Sequence, residues 1–330
     1  MSNLLIGLIG ALVATNQPAA VSNLVLQTTG VSVTVVDPND PTEKAYQKLL
    51  ADDDAAQAEV DQWIRENDEF AAKGAGVPKP ELNNRIRQRF EPIRQAYQDF
   101  LKKNPKHARA LLAYGSFLDD IHDEDGAQEQ WEKALEADPK NPAAYDNLAG
   151  VYAHNGPVKK AFEYYGKAIE LNPREPTYYH NLGTIVYLFR KDSTEFYGLN
   201  EQQVFNKALD LYSQALKLDP TNFPLASDVA QTYYGIKPTR TEDALKAWTN
   251  ALSIAHDQVE REGVYVHFAR IKLHAGRIAE ARAHLNSVTN EMYLTLKNRL
   301  ERNIEEQDKQ AAGTNSPPSA APAEKPEAKR

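Results

Sequence analysis

Residues 108–141, ARALLAYGSFLDDIHDEDGAQEQWEKALEADPKN, and residues 142–175, PAAYDNLAGVYAHNGPVKKAFEYYGKAIELNPRE, carry one pattern written twice. Leu111, Gly115, Leu118, Ala127, Trp131, Ala134 and Pro139 recur 34 residues later as Tyr145, Ala149, Tyr152, Ala161, Tyr165, Ala168 and Pro173. A period of that length marks stacked helical hairpins, none of which buries its apolar face alone. The two helices of a hairpin nest closely, so the crossing points take Gly or Ala. Large rings fill the gaps beside them, and a proline stops the second helix.

The register extends outward from this pair. A third copy starts at Pro176 with Tyr179, Leu182 and Gly183 and resumes at Ala208, Tyr212, Ala215 and Pro220, with 13 residues inserted between its helices. A fourth has Ala226, Ala230, Tyr233, Ala244, Trp248 and Ala251 but no final proline. A fifth keeps Tyr265, Phe268, Ala269, Gly276 and Ala281, with Leu285 and Val288 at the later sites. Ahead of the series, Ile93, Tyr97, Phe100, Leu101 and Pro105 fit the second half of a unit whose first half the pattern does not place.

These positions resemble the tetratricopeptide repeat, a family that builds binding solenoids. The resemblance implies an all-α right-handed superhelix of antiparallel helix pairs, with about five units at 108–141, 142–175, 176–222, 223–257 and 262–291 and a degenerate half unit at 91–107. It also implies a non-enzymatic scaffold for protein–protein interaction. In that family the first helix of each unit lines the concave face, with sites 2, 5, 6, 9, 12 and 13 pointing inward. Site 6 holds Ala113, Asn147, Asn181, Asp228 and His267. Two stacked asparagines are suited to gripping a peptide backbone, because an amide both donates and accepts. Around them the groove takes Asp146, His154, His180, Thr184 and Tyr187, then Ser227, Gln231 and Tyr234. Family members that clamp a C-terminal carboxylate use lysine and arginine at sites 2, 5 and 6. Here Arg109 is the single cation among those sites, so the groove is expected to take an extended, neutral or basic peptide.

Composition narrows the alternatives. The chain of 330 residues carries a formal charge of −8, which argues against nucleic acid or an anionic membrane as the main ligand. It has no cysteine, which excludes disulfides, thiol catalysis and cysteine-ligated zinc. No cofactor is implied.

Residues 1–36 contain no charged side chain, and Leu4 to Ala14 is an apolar run of 11, too short for a membrane span. The run suits the h-region of a secretory leader over 1–20, with Pro18, Ala19 and Ala20 as small residues near a cleavage point, although no Lys or Arg precedes it. On that reading the chain is periplasmic or secreted. The alternative is an uncleaved extended arm in a cytoplasmic protein, over a region from 21 to 90 that also holds N-terminal capping helices.

Between Asp37 and Phe70 there are 11 acidic and 3 basic residues, and between Ala71 and Lys106 there are 9 basic and 3 acidic. The basic helix is expected to lie near the acidic one rather than to expose Arg85, Arg87, Arg89 and Arg94 as a phosphate stripe. The apolar residues of the acidic segment are expected to cap the open end of the stack, whose terminal unit otherwise shows a bare face. At the other end, Met292, Leu296, Leu300 and Ile304 space out as the apolar stripe of a closing helix over 292–309. Residues 310–330 turn to Ala, Pro, Ser and charge and are expected to be disordered.

Several sites imitate chemistry. Asp123, Asp125, Gly126 and Glu132 match part of a calcium loop, but its first position would be Ile121, which offers no oxygen. Gly166 and Lys167 lack the glycine a phosphate loop needs five residues earlier. His267 and His274 are seven apart without a carboxylate pattern, and no HExxH or G-x-S-x-G motif appears. No metal site or catalytic constellation is therefore nominated.

The insertion individualises the chain. Arg190 to Leu199 carries Phe196 and Tyr197, and Asn200 with Gln203 has the spacing of a helix cap and its partner. The two rings are candidates for partner contact or for self-association through the convex face; the other reading folds them back on neighbouring helices.

Overall fold

The computed structural model describes Asp37 and residues 39–314. The expectations for 1–36, whether leader or arm, lie outside the described residues. So does the tail from 315 onward. Fourteen α-helices and one short 3₁₀ turn make up the regular structure among the described residues, with no strand. The chain divides into two compact units, up to Leu211 and from Tyr212.

In the first unit, α1 (Pro41–Ala72) and α2 (Lys79–Lys103) form a long leading pair. Asp40 caps α1 by accepting from the Thr42 N–H. The two helices meet as their opposite charges demand. Arg89 pairs with Glu59 at 2.7 Å, and the Arg85 guanidinium lies 3.7 Å over the Trp63 ring. Arg94 reaches Asp123 at 3.2 Å, so three of the four arginines of the supposed stripe are occupied within the chain. Tyr97, fully buried on α2, donates its hydroxyl to Asp53 of α1 at 2.6 Å. Here α1 supplies the partner for α2 that the repeat pattern did not place.

The next pairs are α3 (Ala108–Asp120) with α4 (Glu124–Ala137), and α5 (Pro142–Asn155) with α6 (Val158–Leu171). Helix α7 (Pro176–Leu188) follows. Each first helix is started by the residue just before it. The His107 ring, Asn141 and Glu175 accept from the N–H of Ala110, Ala144 and Thr177, and proline sits at the entry of α5 and α7. Ala110, Ala127, Ala134, Ala144, Ala149, Ala161 and Ala168 are completely buried, as close helix crossings require.

Trp131 shows why the small-residue sites differ between copies. Its indole N–H donates to the Leu112 carbonyl at 3.2 Å, which lays the ring across Gly115. A Cβ at Gly115 would stand 2.5 Å from Trp131 Cδ1. The second copy has Tyr165 in place of the indole, and there Ala149 fits, fully buried.

The insertion is itself helical. Helix α8 (Arg190–Tyr197) ends at Gly198, whose φ of 65° and ψ of 33° are left-handed. Helix α9 (Glu201–Leu218) follows at once. Asn200 and Gln203 form a reciprocal box: the Gln203 N–H donates to Asn200 Oδ1 at 3.0 Å and the Asn200 N–H to Gln203 Oε1 at 2.9 Å.

The second unit contains α10 (Phe223–Thr232), the 3₁₀ turn Tyr233–Gly235 and α11 (Thr241–Ser253). It continues with α12 (Gln258–His274), α13 (Ile278–Asn286) and α14 (Glu291–Thr314). Asn222 caps α10 by accepting from the Leu225 N–H, repeating the device of Asn141. Two apolar clusters hold this unit. One gathers Ala226, Ala230, Trp248 and Phe268, the other Ala269, Leu273, Leu285, Leu300 and Ile304. Leu300 and Ile304 of the closing helix are buried as expected, but Met292 is 70% exposed and Leu296 37% exposed. The stripe therefore seals with its second half only. Helix α14 also runs to Thr314, five residues into the stretch expected to be disordered.

Candidate functional site

In the first unit α3, α5 and α7 surround a cleft of about 520 Å³. Helix α3 contributes Ser116, Asp119 and Asp120, and α5 contributes Asp146, Asn147 and His154. Asn181 of α7 closes one side, while Trp131 and Tyr165 reach the cleft from the second helices. Asp146, Asn147, His154 and Asn181, chosen from the repeat register, thus come together.

The asparagine ladder is not what its spacing implied. The Asn181 amide donates to both oxygens of Asp146, at 3.1 and 3.2 Å, so this rung is engaged within the chain. Burial pushes the Asp146 carboxyl up to about 6, against the lowering effect of the Asn181 hydrogen bond. Asn147 lines the same cleft.

The rest of the lining is acidic. Asp119, Asp120, Glu124 and Asp146 are its four carboxylates, and it has no lysine or arginine. Withdrawal from water, then the charge of Asp119, raises the Asp120 carboxyl above its ordinary value. The Glu124 carboxylate accepts from the Asn155 amide at 2.9 Å. Ser116, Asp119 and Asp120 were not singled out from the sequence, though a signal existed: counted from Ala108 they are sites 9, 12 and 13 of their unit.

The remaining nominated residues of this unit lie outside that cleft. Thr184 donates its hydroxyl back to the His180 carbonyl at 3.0 Å. Tyr187 packs 6.2 Å from Phe205, with the Arg190 guanidinium 5.5 Å over its ring. Phe196 and Tyr197 do not project. Their rings lie 5.2 and 5.4 Å from Phe162 of α6, and Lys207 sits 4.2 Å over Tyr197. On these contacts the two rings fold back on a neighbouring helix, the second of the two readings of the insertion. Eight residues of helix need a surface to bury their apolar side, and the nearest hairpin provides it.

In the second unit, Ser227 and Asp228 lie on α10 with Gln231, which is exposed. The Ser227 hydroxyl is buried without a hydrogen-bond partner among the described residues. Tyr234 is occupied: its hydroxyl lies 2.8 Å from His267 Nδ1, and Arg270 lies 4.3 Å over its ring. His267 stacks on Trp248 at 3.9 Å, and burial, then Arg270, lowers its imidazole to about 4. It is therefore neutral at ordinary pH. Among the described residues no group of three His, Cys, Asp or Glu side chains is placed to hold a metal ion. Asp123, part of the supposed calcium loop, accepts from the Gly126 N–H and caps α4.

Helix pairs at a 34-residue step, with alanines at the crossings and a cleft lined from the first helices, are the architecture of tetratricopeptide repeats. Two family models match: the TmcB tetratricopeptide repeats over residues 80–143 and a tetratricopeptide repeat over 142–175. No curated protein matches the chain. Among solved structures, it is similar to MamA, with 23% identity over 54% of this chain and 95% of that one and a TM-score of 0.41. It is also similar to YrrB, described as a tetratricopeptide-repeat protein with an unusual peptide-binding site, at 15% identity, 63% and 99% coverage and a TM-score of 0.47. A third is PilF of Pseudomonas aeruginosa, at 16% identity, 78% and 99% coverage and a TM-score of 0.48. The repeats make the chain a protein-interaction scaffold, a role for which this fold is typically non-catalytic. No helix among the described residues is long and apolar enough to cross a membrane.

Proposed function

We propose that the chain is a non-enzymatic scaffold that holds an extended, neutral or basic segment of a partner protein in the cleft of the first unit, against Asn147 and the Asp146–Asn181 pair. The observation that carries this reading is the charge of the lining: Asp119, Asp120 and Asp146 on the first helices α3 and α5, Glu124 at the start of α4, and no lysine or arginine. A basic side chain entering there gains from the field of all four, and a backbone amide finds the Asn147 side chain. An acidic segment would meet like charges.

The test is titration of the whole protein with short fluorescent peptides rich in lysine or in glutamine. The reading expects the lysine peptide to bind more tightly than the glutamine peptide, and to lose about tenfold in affinity with Asp119→Asn and Asp120→Asn together. Equal affinity of the two peptides, or an unchanged affinity of the lysine peptide for that folded variant, would sink it. Self-association through Phe196 and Tyr197 has less support, because both rings pack on Phe162.

The same proposal places the protein outside the cytoplasm, on the uncharged first 36 residues. An intact mass starting near residue 21 in an extracytoplasmic fraction supports that placement; retention of Met1 or Ser2 in the cytosol overturns it.

A further inference from the structure

The second unit holds a different cleft, of about 550 Å³, between α12 and α14. Its apolar lining is Val266, Leu273, Leu296 and Leu300, of which Leu296 stands 37% exposed. Counted from Glu262, the α12 residues Val266, His267, Arg270, Leu273 and His274 occupy sites 5, 6, 9, 12 and 13, the same register that builds the acidic cleft. The charge is reversed. Arg270 and Arg299 face this space, and Glu306 is its one carboxylate. Both arginines are exposed, and neither forms an ion pair among the described residues; Arg270 is engaged only with the Tyr234 ring.

We propose that this cleft is a docking site for a partner segment in which carboxylates flank an aliphatic side chain. The aliphatic group covers Leu296 and the floor of Val266 and Leu300, which removes apolar surface from water. The flanking carboxylates meet Arg270 and Arg299, whose planar guanidinium groups are suited to paired hydrogen bonds with them. His267, held neutral by burial and by Arg270, adds no competing charge. The occupant is chosen by charge complementarity: a basic segment would meet two arginines, and a wholly polar one would leave Leu296 in water. This site is separate from the cleft of the first unit and asks for the opposite ligand chemistry.

The test uses the whole protein and two short fluorescent peptides, one alternating glutamate with leucine and one alternating glutamine with leucine, followed by anisotropy. The proposal expects the glutamate peptide to bind about tenfold or more tightly than the glutamine peptide, and Arg299→Glu to remove that preference. Arg270→Glu is expected to do the same, but it also disturbs Tyr234. The exposed Arg299 therefore carries the test if Arg270→Glu fails to fold. Asp119→Asn with Asp120→Asn leaves the glutamate peptide's affinity unchanged, which separates this site from the first. Equal binding of the two peptides, or indifference to Arg299→Glu with an unchanged circular dichroism spectrum, overturns the proposal.

Discussion

The side-chain amide of Asn181 lies 3.1 and 3.2 Å from the two carboxylate oxygens of Asp146, one repeat earlier. Two first helices are thus tied together at the wall of the acidic cleft. The tie holds a carboxylate that burial raises to about 6. For an acid whose folded value is raised, the contribution to stability is fully present below the unfolded value and is lost as pH rises through the folded one. Replacement Asp146→Asn keeps an acceptor for Asn181 and removes the buried charge. The Tm at pH 8 is expected to rise by a few degrees relative to the parent, with the difference vanishing by pH 4. Thermal melts across that range decide it; an unchanged or lower Tm at pH 8 contradicts the assignment.

Glu262 titrates in the opposite sense. It is 1% exposed and accepts from the N–H groups of Thr289 and Asn290, both at 2.7 Å, and from the Thr289 hydroxyl and the Gln258 amide. The Asn290 backbone bond first, with the other donors, lowers it to about 2, so its contribution is present above the ordinary carboxylate value and is lost as pH falls toward 2. Glu262→Gln is expected to lower the Tm at pH 7 and to flatten the Tm profile between pH 5 and pH 2. Hydrogen exchange at Thr289 and Asn290 should quicken in the same variant.

Gly115 and Trp131 fit each other by contact. With a Cβ 2.5 Å from the indole, Gly115→Ala has to displace a ring anchored to the Leu112 carbonyl. The expected cost is about 2 kcal/mol, within the range for overpacked cores. Ala149→Gly, at the matching site beside Tyr165, is expected to cost about 1 kcal/mol, through backbone entropy in a helix. Denaturant titration of the two variants compares them directly.

Tyr197 is part of the fold. Tyr197→Ala removes a half-buried ring from Phe162 and Lys207 and is expected to cost about 1 to 2 kcal/mol, less than truncation of a fully buried aromatic. Light scattering should give the same mass for the variant and the parent, because the ring faces the chain's own α6. A change of mass with unaltered stability would restore the insertion as a contact surface.

Asn147 gives the cleanest probe of the acidic cleft. Because Asn181 is committed to Asp146, its removal strips a half-buried carboxylate of its donor as well as the groove of an amide. Asn147→Ala is expected to weaken capture of a lysine-rich peptide by about three- to tenfold while leaving the Tm within a degree of the parent.

The recurrence of Gly or Ala, ring, Ala and Pro at a step of 34 determined the helix pairs by itself. A small residue at a crossing and a proline beyond a helix end act over one hairpin, within reach of local sequence. The same register put Asp146, Asn147, His154 and Asn181 on one wall and, counted through, contains Ser116, Asp119, Asp120, Arg270 and His274 as well. What register cannot show is whether a side chain that points inward is already engaged. Asn181 is taken by Asp146, Tyr234 by His267, and Phe196 and Tyr197 by Phe162, each through contacts more than 30 residues apart in the chain or across an insertion of no fixed period. The place of α1 beside α2 was likewise decided in three dimensions, by the Asp53–Tyr97 bond and by Glu59 with Arg89, because neither helix carries a complete copy of the pattern. Local geometry follows from the sequence because it depends on nearest neighbours. The opposed charges of the two clefts depend on which distant carboxylates and guanidinium groups share one space, and only the tertiary structure decides that.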